Sequence, residues 1–158
     1  MLIPRPHILT LLGLLNTMYD YLQLLKDNSM LLGEFDPAKV GVSPQWFWDR
    51  RVSLVDFRGD LRFINPKSIT WGFHVSAITA SHDFSNGSCG TAIIKKVWVE
   101  GGSFVGSGAF LYNCHIMHHG VVACGAVVRN ITVQPFTMVE GNPARVIKKF
   151  IDGTWRRV

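Results

Sequence analysis

One aliphatic side chain recurs at a near-constant interval through the C-terminal half of the chain: Val99, Val105 and Leu111, then Ile116, Val122 and Val128. Neighbours in this series are six residues apart, except Leu111 and Ile116, which are five apart. A period of six matches neither the alternation of a strand nor the turn of an α-helix. It is the hexapeptide spacing of a parallel β-helix, in which each unit makes one flat side of a coil and sends one aliphatic side chain inward. Small residues fall where such a narrow coil must turn: Ser103, Ala109, Ala126 and, one place before Val121, Gly120. Glycines at 101, 102, 106, 108, 120 and 125 supply backbone freedom at the corners. An ordinary β-sandwich with glycine turns has no reason to keep the sixfold interval. The pattern therefore predicts short parallel strands coiling with three sides per turn from about residue 61 to 140. Leu111 to Ile116 is expected to be a local distortion, because one residue is missing from that corner.

Upstream the texture differs. From Ile8 to Leu25 the apolar run is broken by Asn16, Asp20 and Gln23, and its uninterrupted part is shorter than the roughly 20 residues that span a bilayer. Arg5 followed by ILTLLGLL looks like the start of a signal peptide, but no small-x-small cleavage site follows. The segment reads as an amphipathic helix, starting after Pro4 and Pro6, expected to pack on the coil or on a neighbouring subunit and not in lipid, with interfacial membrane contact as the minor alternative. Residues 31 to 60 hold Pro37, Pro44 and the cluster Trp46, Phe47, Trp48 without a readable period. The chain of 158 residues is thus expected to be one folding unit, with residues 1–60 packed on a β-helix of residues 61–158.

Composition narrows this picture. Hydrophobic residues make up 47% and charged residues 17%, which excludes intrinsic disorder and leaves weakly charged surface for contact with another subunit. The net charge of +5 could suit a polyanion, but no nucleic-acid recognition motif is present and no nucleic-acid partner is expected. Cys89, Cys114 and Cys124 form no CxxC pair and are odd in number, as reduced thiols of a cytoplasmic protein would be.

Three strings carry a resemblance to a known family. FTMVEGNPARVIK, from Phe136 to Lys148, resembles the ending of the hexapeptide-repeat acyltransferases. VWVEGGSFVGSGAFL and GVVACGAVV resemble the coils before that ending, and ITASHDF at 78–84 resembles the active-site loop of the sugar O-acetyltransferase branch, similar to colanic-acid-type and maltose or galactoside acetyltransferases. The resemblance covers about residues 64–150. It implies an all-β, left-handed parallel β-helix with an N-terminal helix and a short C-terminal helix or tail. It also implies a homotrimer with the site between subunits, acetyl-CoA as co-substrate and no metal. The stretch from Ile69 to His82 is about one hexad shorter than is usual there, and this motivates the alternative of a catalytically silent trimeric scaffold or binding module.

Moving an acetyl group from a thioester to a sugar hydroxyl needs a base that works near neutrality, which suits histidine. The resemblance makes His82 that base, acting directly without an acyl-enzyme, on a sugar, nucleotide sugar or polysaccharide precursor. Asp83 can orient the His82 ring, bind a sugar hydroxyl or cap its own loop, and the sequence leaves all three open. By the same resemblance Gly106, Ser107, Ala123 and Gly125 line the turns that carry the pantetheine arm, and Phe104 stands where many relatives have tryptophan. Arg129, Arg145 and Lys148 fall at or near the phosphates, although Arg145, Lys148 and Lys149 also read as a solvated basic helix face. His115, His118 and His119 lie close enough to raise the question of zinc, which histidines hold between subunits in β-helices of the carbonic anhydrase type. Their spacing does not follow that pattern, and they are expected to face solvent.

Overall fold

The structure, a computed structural model, describes residues 31–50, 52 and 54–158. The helix expected before residue 31 lies outside them. Three parallel sheets form the sides of a coil. The first side holds β1 (Leu31–Leu32), β2 (Leu54–Asp56), β5 (Ser76–Ile78), β10 (Phe110–Tyr112) and β13 (Val127–Arg129). The second holds β3 (Asp60–Ile64), β8 (Lys96–Glu100), β11 (Cys114–Ile116) and β14 (Thr132–Val133). The third holds β4 (Thr70–Trp71), β9 (Phe104–Val105), β12 (Val121–Val122) and β15 (Thr137–Gly141). Parallel pairing already starts at Leu31, opposite Val55, and continues from Leu54, opposite Ser76.

The inward series is Val99, Val105, Leu111, Ile116, Val122, Val128, Val133 and Val139, and all eight are at most 1% exposed. Its steps run six, six, five, six, six, five, six, so one full coil takes seventeen residues: Val99 pairs with Ile116 and Val105 with Val122. The five-residue step is therefore no local distortion. It recurs at the same corner in the next coil, between Val128 and Val133, and both copies turn on an asparagine in the left-handed region, Asn113 (φ 45°) and Asn130 (φ 57°). Asparagine tolerates that conformation well, which suits it to the corner, although the six-residue corners also turn on left-handed residues, as at Gly108, His119, Gly125 and Phe136. The Asn113 amide donates to Asn130 Oδ1 at 2.8 Å, tying one coil to the next. The small residues read from the sequence fill corners as expected: Ser103, Ala109 and Ala126 are buried, and Ser103 Oγ satisfies itself on Met117 O at 3.0 Å.

Residues 31 to 60, unreadable by period, close the first coil. Two short helices, α1 (Pro37–Val40) and α2 (Pro44–Asp49), bring Phe47, 1% exposed, against Phe35, Phe57 and Phe63, with Trp46 packed on Phe63 and Trp71. Phe57, Phe63 and Trp71 come from the three sides of that coil, so the aromatic cluster plugs its open end. At the other end β16 (Ala144–Ile151) and β17 (Thr154–Arg157) fold back antiparallel on β15. Of the two C-terminal alternatives the chain forms an extended tail, not a helix: Asp152 (φ 49°) and Gly153 (φ 75°) make the Asp-Gly turn favoured in hairpins, flanked by β-formers such as Ile151 and Trp155. Arg145, Lys148 and Lys149 accordingly lie on a strand, and the basic helix face does not exist. Among the described residues no helix is long and apolar enough to cross a membrane.

The recurring asparagine corner makes a prediction. Asn130→Val, a β-branched residue at positive φ, should lower stability by about 1–3 kcal/mol, while Asn130→Gly should cost less, both read from denaturant midpoints at constant m. Equal losses would mean that the left-handed corner is not what the asparagine serves.

Candidate active site

One coil is longer than the rest. Ala77 and Leu111 pair directly although 34 residues separate them, twice the seventeen of a regular coil. The excess leaves at the corner between the first and second sides as a hairpin, in which β6 (Ala80–His82) pairs antiparallel with β7 (Ala92–Ile94). Its root is clamped from below by the first coil. Thr79 and Asp56, both fully buried, are two of the four buried polar residues described, and they bond each other: Thr79 Oγ1 donates to Asp56 O at 2.6 Å and Thr79 N to Asp56 Oδ2 at 3.3 Å. Thr79 Oγ1 also accepts from Gly59 N at 2.9 Å, and Lys95 N donates to Thr79 O at 2.6 Å, so both ends of the insertion meet at one threonine. A Cβ on Gly59 would collide with the carbonyl oxygens of Thr79 and Lys95, which is why glycine stands there. Arg58 neutralises the buried carboxylate, with Nε 2.9 Å from Asp56 Oδ1 and Nη2 3.0 Å from Oδ2. That hydrogen-bonded pairing raises the Arg58 pKa further.

His82 ends β6 on the exposed arm, with Nδ1 3.0 Å from the carbonyl oxygen of Gly90. A carbonyl only accepts, so Nδ1 carries the hydrogen and the neutral ring presents Nε2 as its basic nitrogen. Asp83 does not touch the ring. Its Oδ1 accepts from Ser85 N at 2.9 Å, and this bond holds the carboxyl below its ordinary pKa. Of the three roles left open for Asp83, capping its own loop is the one the structure displays.

Gly106, Ser107, Ala123 and Gly125 gather at another corner, between the third and first sides. Gly106 lets two coils approach closely, since a Cβ there would meet Cys124 N at 2.5 Å. Ser107 Oγ accepts from Phe73 N at 3.2 Å, and Gly125 N donates to Ser107 O at 2.9 Å. Beyond Gly108 and Gly125 nothing lies within 4 Å of where a Cβ would stand, so this edge is a smooth surface of small residues. Phe104, on β9, is half exposed. Arg145 pairs across from Glu140 one coil above Ala123, and Lys148 pairs across from Met138. Arg129 ends β13, at the far edge of the first side, with its guanidinium 5.7 Å from the Tyr112 ring. One chain thus brings the four small residues and Arg145 together, and places His82 and Arg129 at the neighbouring corner.

No protein-family model and no curated protein matches the chain. Solved structures do. A hexapeptide-repeat containing acetyltransferase from Vibrio cholerae O1 biovar eltor, complexed with acetyl-CoA, aligns with TM-score 0.50 at 25% identity over 63% of this chain and 51% of its own. The chain has the fold of this acetyltransferase, a left-handed parallel β-helix. Another structure of the Vibrio cholerae protein aligns at 30% identity and TM-score 0.49, over 54% of this chain and 49% of that one. A maltose O-acetyltransferase from Clostridium difficile 630 aligns at 23% and 0.38, over 62% and 54%. The chain spans about half the length of each of these proteins.

Sequence reasoning missed a polar cluster on the second side. His118 and His119 are exposed as expected, but His115 is half-buried with Nε2 2.6 Å from Glu100 Oε1, while Glu100 Oε2 accepts from His118 N at 3.0 Å. Burial pushes the Glu100 pKa up, yet the bonds from His118 N–H and the two imidazoles win and hold it below its ordinary value. The signal was present in the repeat: seventeen residues separate Trp98 from His115, register partners, so Glu100 lies within reach of His115 on the next coil. No group of three or more potential ligands among the described residues is arranged to hold a metal ion. Cys114 is buried, which pushes its thiol up to about 12 and leaves it unreactive.

Two outcomes follow from this geometry. Thr79→Val keeps the shape but strands Gly59 N and Asp56 O, and should cost about 1–3 kcal/mol, with hydrogen exchange rising across residues 80–94; Thr79→Ser should restore both. Glu100 should stabilise the fold fully above its unfolded pKa of about 4.3 and progressively less as pH falls through the lower folded value. Native protein and Glu100→Gln should therefore converge in thermal midpoint at low pH and separate at pH 7.

Proposed function

We propose that the chain is an acetyl-CoA-dependent O-acetyltransferase acting on a hydroxyl of a sugar, nucleotide sugar or polysaccharide precursor. The observation that carries this reading is His82: an exposed imidazole on a projecting, clamped hairpin, with Nδ1 engaged by Gly90 and Nε2 left as base, on a fold that binds acetyl-CoA in the Vibrio cholerae protein. In the reaction, the acceptor oxygen attacks the thioester carbonyl as Nε2 takes its proton. The tetrahedral oxyanion then collapses, the C–S bond breaks, and the imidazolium returns the proton to the departing thiolate, giving an acetyl ester and CoA.

The separation of His82 from the smooth corner favours a site between copies. A hairpin of one subunit would lie against the corner of Gly106, Ser107, Ala123 and Gly125 on the next, in a homotrimer, and no metal takes part. Exposed Phe84 (61%) and Ile94 (55%) on the hairpin and Phe73 (51%) beside Ser107 are apolar surfaces that such contact would cover. The pantetheine arm would run along the small residues beside Phe104, with Arg145 and Lys148 towards the phosphates and Arg129 at the subunit boundary. Use of acetyl-CoA and three unpaired cysteines fits the cytoplasm. A silent scaffold would have no use for a hairpin pinned by a buried carboxylate and a histidine held in one tautomer.

Replacing His82 with alanine should lower acetyl transfer by about 10²–10⁴-fold and leave CoA affinity unchanged. The check is steady-state transfer from acetyl-CoA over a panel of sugars, with the assembly state of the variant confirmed. Undiminished turnover would return the scaffold reading.

A further inference from the structure

Of the twelve exposed large hydrophobic residues described, five stand in the last thirteen positions: Val146, Phe150, Ile151, Trp155 and Val158. The same stretch holds the charge. From Arg145 to Val158 five cations stand against one carboxylate, Asp152, so fourteen residues carry +4 of the net +5. Neither excess suits a solvated hairpin, because exposed apolar clusters mark contact sites and opposed like charges destabilise a strand pair. Register nevertheless sets Lys149 opposite Arg156 and Lys148 opposite Arg157.

The outermost strand combines both properties. β17 ends its sheet, one strand beyond β16, and is the last element along the stack of coils. Val158 N donates to Ile147 O at 3.3 Å, so by the alternation of antiparallel pairing the main-chain groups of Trp155 and Arg157 point away from β16. A surface meeting the stack end-on therefore meets that edge, flanked by Trp155 and Arg157 on one face and by Arg156 and Val158 on the other, with Ile151 at the turn. Phe150 backs Trp155 ring to ring at 5.5 Å, and Phe136 backs Phe150 at 6.1 Å, which holds the indole in place. Arg157 meets no carboxylate among the described residues, and Arg156 has the exposed Asp152, Nη2 to Oδ2 3.4 Å.

Cations alone would suit any polyanion, and apolar side chains alone a protein partner. Interleaved on one edge, they match the headgroup layer of an anionic bilayer, where indole and aliphatic side chains settle at the acyl boundary while guanidinium groups meet the headgroup charge. Depth follows from the backbone: the open N–H and C=O groups of an edge need water, which keeps β17 in the headgroup layer and out of the hydrocarbon. In the homotrimer proposed above, the corner between the first and second sides meets the corner between the third and first sides of the next copy. Those two corners bound the first side, which therefore faces the symmetry axis, and the third side with its hairpin faces outward. Rotational symmetry sets three copies of β17 at one end, so contacts that are weak in one copy act together.

We propose that the C-terminal hairpin docks the protein end-on to an anionic lipid surface, with Arg156 and Arg157 on the anionic headgroups and Ile151, Trp155 and Val158 at the acyl boundary. The inference rests on the reading above only for the joint action of three hairpins, and it uses none of the cations given there to CoA.

Flotation of the full chain with vesicles tests it. Native protein should bind equimolar phosphatidylcholine and phosphatidylglycerol at least about tenfold more tightly than phosphatidylcholine alone, and high salt should release it. Arg156→Gln with Arg157→Gln should lose at least about tenfold on the mixed vesicles. Ile151→Ser with Trp155→Ser should lose a similar factor. Both double variants should keep the native thermal midpoint and native acetyl transfer to a soluble acceptor; if Trp155→Ser lowers the midpoint, Ile151→Ser alone carries the apolar arm. A native protein indifferent to phosphatidylglycerol would overturn the docking. Loss in the arginine variant with full binding by the apolar variant would also overturn it and reassign the strand to a soluble polyanion such as an acidic peptide. Vesicle binding without acetyl transfer would overturn the reaction and leave the surface, and transfer by a protein that never floats would do the reverse.

Discussion

Every coil of this molecule must hang its backbone N–H groups on the carbonyls of the coil beside it, and that demand fixes how many residues each turn of chain can use. A buried main-chain donor without a partner costs on the order of a lost hydrogen bond, so a coil cannot drift in length. Seventeen residues satisfy the demand when two corners keep six-residue steps and the third closes with five on Asn113 and Asn130. The uniform inward series from Val99 to Val139 follows, because every coil sends the same register positions to the axis, one on each side, with a second buried position on the second side taken by Val97 and Cys114.

Departures from seventeen are then the informative places. The chain adds a whole coil's worth of residues at one corner, and there the burial of polar groups is heaviest. Asp56, Arg58, Gly59 and Thr79 form a small network that is expensive to bury and has no part in the repeat. Its effect is to hold two strands that leave the coil, and with them the histidine on the arm, against thermal motion. Rigid support at its root is what lets an exposed arm keep a defined geometry.

The regular coils could be read from residues alone, because Val99, Val105, Leu111, Ile116, Val122 and Val128 state the period. One five-residue step looked like a defect since a single instance cannot show that it repeats; Val133 supplies the second. The clamp could not be read: Val55 to Ala77 is 22 residues and Ala77 to Leu111 is 34, so no fixed interval connects Asp56 with Thr79. Trp46 and Phe47 gave no period because a plug meets three sides at once. His82 was legible through SHDF, but the bond from its ring to Gly90 reaches eight residues along a loop whose path the residues do not encode simply. The tail was ambiguous because ARVIKK suits either a helix or a strand, and only the free edge of β15 decides it.

A stack of parallel coils has the same internal logic as a fibre: each rung is a template for another, and nothing within the repeat says where to stop. Here the two ends say it. Phe47 and its aromatic neighbours occupy the axis below the first rung, so no foreign rung can seat there. Above the last one, β16 reverses the strand direction, and β17 presents an edge bearing Arg156 and Arg157, which a second molecule carrying the same two arginines would repel. The charged hairpin thereby keeps a polymerisable architecture finite, and its loss would be felt first as solubility.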